Sequence, residues 1–127
     1  MNTQVGLYEL HAEHTQWNNN LDFYKQDISI LEKRLEELVS KNTNQSIRAE
    51  IEKYQNQFII QKNNIDQIQH IVNLNEKEIV KEINDIPVAV DHRKMDDHSK
   101  EGSLVETFEA KLNELRSDFN SFSAKWM

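Results

Sequence analysis

The chain has 127 residues, a formal net charge of −7 from 22 acidic and 15 basic side chains, 37% hydrophobic residues and no cysteine. That length suits one domain, residues 1–127. The negative balance argues against nucleic-acid partners, which reward cationic surfaces through counterion release, and against anionic membrane surfaces. Without cysteine, neither disulfides nor thiolate metal sites can form.

The apolar fraction is low for a compact globule of this size, whereas an elongated bundle needs only a narrow buried stripe on each helix. Met1-Asn2-Thr3-Gln4 shows no basic segment followed by an apolar run, so no secretory leader is read there. Apolar runs such as Phe58-Ile59-Ile60 and Val88-Ala89-Val90 are too short to span a bilayer. The expected compartment is the cytoplasm.

The first predicted helix covers about residues 5–40. Leu7, Leu10, His14, Trp17, Leu21, Tyr24, Ile28, Leu31, Leu35 and Leu38 step by three and four, and His14 is the one departure from an apolar or aromatic seam. A polar cluster at Lys41-Asn42-Thr43-Asn44-Gln45-Ser46 then breaks the chain and offers Asn or Ser as a helix cap.

The second helix, about 46–83, carries its seam on Ile47, Ile51, Tyr54, Phe58, Gln61, Ile65, Ile68, Val72, Asn75 and Ile79. It ends near Asn84-Asp85-Ile86-Pro87, where the chain's one proline disfavours helical geometry in the residue before it.

The third helix, about 88–125, is strongly apolar only in its second half, through Val105, Phe108, Leu112, Leu115, Phe119, Phe122 and Trp126. Traced backwards, its seam passes Glu101, His98, Lys94 and Asp91. Ser103-Leu104-Val105-Glu106 has the form of a capping box, so a break at Gly102 competes with a continuous helix. Continuity is preferred, because a glycine within a helix costs only about 1 kcal/mol.

Short connections make neighbouring helices antiparallel. The expected fold is therefore an all-α, elongated antiparallel three-helix bundle with coiled-coil-like packing. Folding about the loop centres sets residue n of the first helix against about residue 87−n of the second and about n+85 of the third. This ruler puts Trp17 against Gly102, where an indole meets a position without a side chain, and brings His14 and His98 to one height near Val72.

Two readings compete for that level. One is a polar layer that fixes register through buried hydrogen bonds. The other is a metal site on His14, His98, Glu101 and His11, with Asn75, Asp97 and Glu13 near and His70 facing water. Imidazoles and carboxylates projecting inward from facing helices hold zinc, iron or manganese in bundles. The Glu-x-x-His repeat of di-metal carboxylate bundles is absent, since no Glu lies three residues before His14, His70 or His98.

No serine sits in a nucleophile elbow, and neither glycine belongs to a phosphate-cradling loop, so an enzyme is not expected. Phe23, Ile30, Ile59, Ile60, Ile71 and Leu74 lie outside the main seam and form a candidate interaction surface, for another protein or for a second copy in a homodimer. The leading expectation is a non-enzymatic structural or protein–protein interaction module. A metal- or ligand-binding bundle centred on His14 and His98 is the alternative.

Overall fold

The computed structural model describes residues 3–85 and 92–127, with side chains for 6–81 and 98–127. Three helices and no strand make up the described residues: α1 (Thr3–Lys41), α2 (Gln45–Asp85) and α3 (His92–Trp126). They pack against one another as an all-α three-helix bundle. At about 1.5 Å per residue each helix is roughly 50–60 Å long. Among the described residues, no helix is long and apolar enough to cross a membrane.

The first turn of the chain is capped as the sequence suggests. Asn42 closes α1 by donating its side-chain amide to the carbonyl of Leu38, 2.9 Å, and to that of Trp126, 3.0 Å, which also fastens the end of α3. The Asn44 side-chain oxygen accepts from the backbone N–H of Ser46, 2.8 Å, and so satisfies one free donor at the start of α2. Of the expected second break, Asn84 and Asp85 belong to α2, which runs two residues further than expected, while Ile86 and Pro87, and Asp91 on the expected third seam, lie outside the described residues. The side chains of Lys94 and Asp97 lie outside the described ones.

Helix α3 runs unbroken through Gly102, which settles the competition between one helix and two. A Cβ at Gly102 would stand 3.4 Å from Cζ2 and 3.6 Å from Cη2 of Trp17. The indole therefore fills the space the glycine leaves, as expected from the spacing of the two seams.

The seams form the interior. One large cluster runs from Leu21 to Leu38 on α1, Ile51 to Val72 on α2 and Val105 to Phe119 on α3. Phe58 is fully buried and sits edge-on to Phe119, with centroids 5.2 Å apart and planes at 85°. A second, small cluster of Leu7, Leu10 and Ile79 lies toward the other end of α1. The two clusters are separated by His14 and the groups around it.

The contacts correct the ruler between antiparallel helices. Asn18 bonds Asn73, Asp22 bonds Gln69 and Lys25 bonds Asp66, so residue n of α1 meets about residue 91−n of α2, one helical turn beyond the expected 87−n. Between the parallel helices α1 and α3 the expected offset holds: Tyr24 meets Glu109, Glu13 meets His98 and Trp17 meets Gly102.

The lean of helical side chains toward their own N-terminus, about one residue per helix, shifts the antiparallel count in this direction and accounts for about half of the difference. In a parallel pair both lean the same way and the offset cancels. In an antiparallel pair they lean oppositely, so both partners sit C-terminal to the point where they touch.

The Trp17–Gly102 contact makes a graded prediction. Gly102→Ala removes the helix penalty of glycine and places its methyl at ordinary contact distance from the indole. Urea unfolding should show a gain of up to about 1 kcal/mol. Gly102→Leu, which must displace the indole, should lower stability instead. Equal stability of the two variants would contradict this packing.

Candidate functional site

The level between the two apolar clusters is built from all three helices. Helix α1 supplies His11, Glu13, His14 and Trp17, α2 supplies Asn75 and Glu76, and α3 supplies His98, Glu101 and Gly102. His14 and Glu101 are 1% and 2% exposed and His98 is 9% exposed, so polar groups here are removed from water and need partners.

His14 is at the centre. Its Nδ1 donates to Oε2 of Glu76, 2.7 Å, and its Nε2 donates to Oε2 of Glu101, 2.8 Å. An imidazole that serves a carboxylate from each nitrogen must carry both protons. Burial acts to lower the pKa of His14. Hydrogen bonds and charge from Glu101 and Glu76 outweigh it, so the pKa is raised above the ordinary 6.5.

The other groups take up their remaining bonds around this centre. His98 turns Nδ1 toward Nε2 of His14, 3.2 Å, and its Nε2 donates to Oε2 of Glu13, 3.1 Å. Asn75 donates its amide to Oε1 of Glu101, and His11 donates to Oε1 of Glu76. Trp17 lies over His98, with ring centroids 4.6 Å apart and planes at 28°, and fixes the plane of that imidazole.

The structure thus brings together three of the four residues expected at a metal site. His14 Nε2, His98 Nδ1 and a Glu101 carboxylate oxygen are buried, with donor atoms all within 4.8 Å of one another. His11 is not part of that trio. It is exposed and reaches the layer only through Glu76. His70 is exposed, as expected.

Glu76 escaped the sequence reading. The uncorrected ruler sent His14 toward residue 73, whereas the observed rule of about 91−n sends it close to Glu76. A signal was present, since Glu76 lies four residues after Val72 and three before Ile79, both buried.

The six apolar side chains expected at an interaction surface are all exposed and lie on more than one side of the bundle. Phe23 and Ile30 share a stripe of α1 with Asp27 and Arg34, which pair with Arg116 and Asn120 of α3. Ile59 shares a stripe of α2 with Lys62 and Asp66, which pair with Glu32 and Lys25 of α1. Ile71 falls on the α3 side of α2, where it helps to line a groove of about 230 Å³ with Asn64, Gln67, Leu104 and Lys111. One continuous apolar face does not result.

No protein-family model, curated protein or solved structure matches this chain.

The charge on His14 has a pH consequence for metal-free protein. A folded pKa raised above the unfolded value contributes stability that is complete below about pH 6.5 and is lost as pH rises through the folded value. Thermal melts in chelator should therefore show a declining Tm above about pH 6.5. His14→Gln should flatten that decline. A wild-type Tm that rises over the same interval would contradict the assignment of a doubly protonated His14 held by Glu76 and Glu101.

Proposed function

We propose that this protein is a non-catalytic metal-binding bundle that holds a divalent cation between α1 and α3 through His14 Nε2, His98 Nδ1 and the Glu101 carboxylate. The observation that carries this reading is the second layer of bonds. Each candidate ligand has its other polar atom engaged: Nδ1 of His14 by Glu76, Nε2 of His98 by Glu13, and Oε1 of Glu101 by Asn75. Histidine ligands characteristically give their second nitrogen to a carboxylate or carbonyl, which fixes the tautomer and aims the lone pair at the ion.

Distance and charge agree with it. Tetrahedral zinc with bonds of about 2.0–2.1 Å sets its donors roughly 3.3 Å apart. His14 Nε2 lies 3.2 Å from His98 Nδ1 and 2.8 Å from Glu101 Oε2, within about half an ångström of that spacing, and all three donors lie within 4.8 Å of one another. Loading removes the proton from His14 Nε2 and puts a doubly charged ion between that nitrogen and Glu101, while Glu76 keeps its bond to Nδ1. Those two carboxylates with one imidazolium leave one negative charge, which the exchange cancels.

A mixed imidazole and carboxylate set suits zinc, iron or manganese, and zinc is the first probe because it accepts low coordination numbers. Binding rather than catalysis is favoured by the burial of His14 and Glu101, which leaves a substrate no approach through the described side chains.

Titration calorimetry of chelator-treated, tag-free protein should show one zinc per chain, lost in His14→Ala. Glu76→Gln should weaken binding by about 10–100-fold, the usual effect of removing an orienting partner. Full zinc affinity in both variants would refute the site.

A second reading, a protein-binding module, is favoured by the α2–α3 groove, where Ile71 and Leu104 stand 40% and 43% exposed above buried Ile68 and Phe108. A second copy of the chain is the occupant to test. Light scattering should then report twice 15.1 kDa, reduced to the monomer by Ile71→Asp. A monomer at every concentration would remove self-association.

A further inference from the structure

We infer that the bound cation is the latch that holds the turns of α3 around residues 98–104 against α1, so that metal loading sets how firmly this stretch is docked. The inference rests on the metal-binding reading and adds to it what the ion does for the fold.

The ligands are distributed unevenly over the helices. His14 belongs to α1, and His98 and Glu101 belong to α3. Helix α2 contributes only the orienting groups Asn75 and Glu76. An ion on these three atoms therefore cross-links α1 to α3 directly.

Among the described side chains of α3, that link falls where the fewest apolar ones are buried. From Val105 to Phe119 the interior face of α3 is apolar, with Val105, Phe108, Leu112, Leu115 and Phe119 all buried. Each such side chain contributes roughly 1.5–3 kcal/mol by leaving water. Among the described side chains before Val105 the interior positions are His98, Glu101 and Gly102, while Ser103 and Leu104 are exposed. The glycine meets Trp17 without contributing a side chain of its own.

Without the ion, docking here depends on the packing of Trp17 against His98 and Gly102 and on hydrogen bonds whose gain is offset by the desolvation of His14 and Glu101. With it, binding free energy is added to the docked state alone, because the undocked stretch no longer presents His98 and Glu101 to His14. Local opening of 98–104 is thereby separated from unfolding of the apolar half.

Amide hydrogen exchange read by mass spectrometry tests this on the whole chain, in chelator and with zinc. Zinc should slow exchange in peptides covering 98–104 by at least about tenfold more than in peptides covering 108–119. Glu101→Gln should abolish the extra protection and leave the 108–119 peptides at their chelator rates. Zinc that binds by calorimetry yet slows both regions equally, or neither, would overturn the latch while leaving the site intact. Failure of zinc to bind at all would remove the site and the latch together.

Discussion

His14 is held from both sides by carboxylates, Glu76 of α2 and Glu101 of α3, inside a bundle whose other seam positions on α1 are apolar or aromatic. This arrangement divides the core in two. It ties all three helices together at one level and removes charged groups from water where an apolar layer would serve as well or better for stability. Buried ion pairs of this kind contribute little net stability, yet removing one partner costs about 3–5 kcal/mol because the other charge is stranded. The layer therefore demands that every member be satisfied. The structure meets that demand by passing each remaining bond outward, to Glu13, Asn75 and His11.

The same outward bonds fit a cation at the centre. Two imidazole nitrogens only 3.2 Å apart and a carboxylate oxygen beside them make a set of donors in which a proton and a metal ion compete for one place. Proton and metal thus act in opposite directions with pH: acid favours the imidazolium, and base favours the ligand. Among the buried side chains described, the ionisable ones, His14, His98 and Glu101, all belong to this layer.

Much of the architecture was legible from the spacing of apolar residues. The three helices, the caps at Asn42 and Asn44 and the seam through Phe58 and Phe119 follow from three-and-four stepping and from the scarcity of glycine and proline. The meeting of His14 with His98, and of Trp17 with Gly102, followed from counting along two parallel helices, where side-chain lean cancels. The same lean adds between antiparallel helices and shifts a count from loop centres by about two residues, half of the turn by which it misses. That is why Glu76 was overlooked while the less central His11 was included. The exposed apolar residues show a further limit. Heptad position identified them as lying off the main seam, but only contacts between helices reveal that Phe23 and Ile30 lie beside α3 pairings, Ile59 beside α1 pairings and Ile71 in the α2–α3 groove.

The central claim is that His14, His98 and Glu101 share one ion. A crystal structure of zinc-loaded protein, with data at the zinc absorption edge, tests it most directly. The account predicts a single anomalous peak about 2.0–2.2 Å from His14 Nε2, His98 Nδ1 and a Glu101 oxygen. A peak only on surface groups such as His70, with His14 still bonded to both Glu76 and Glu101, would contradict it.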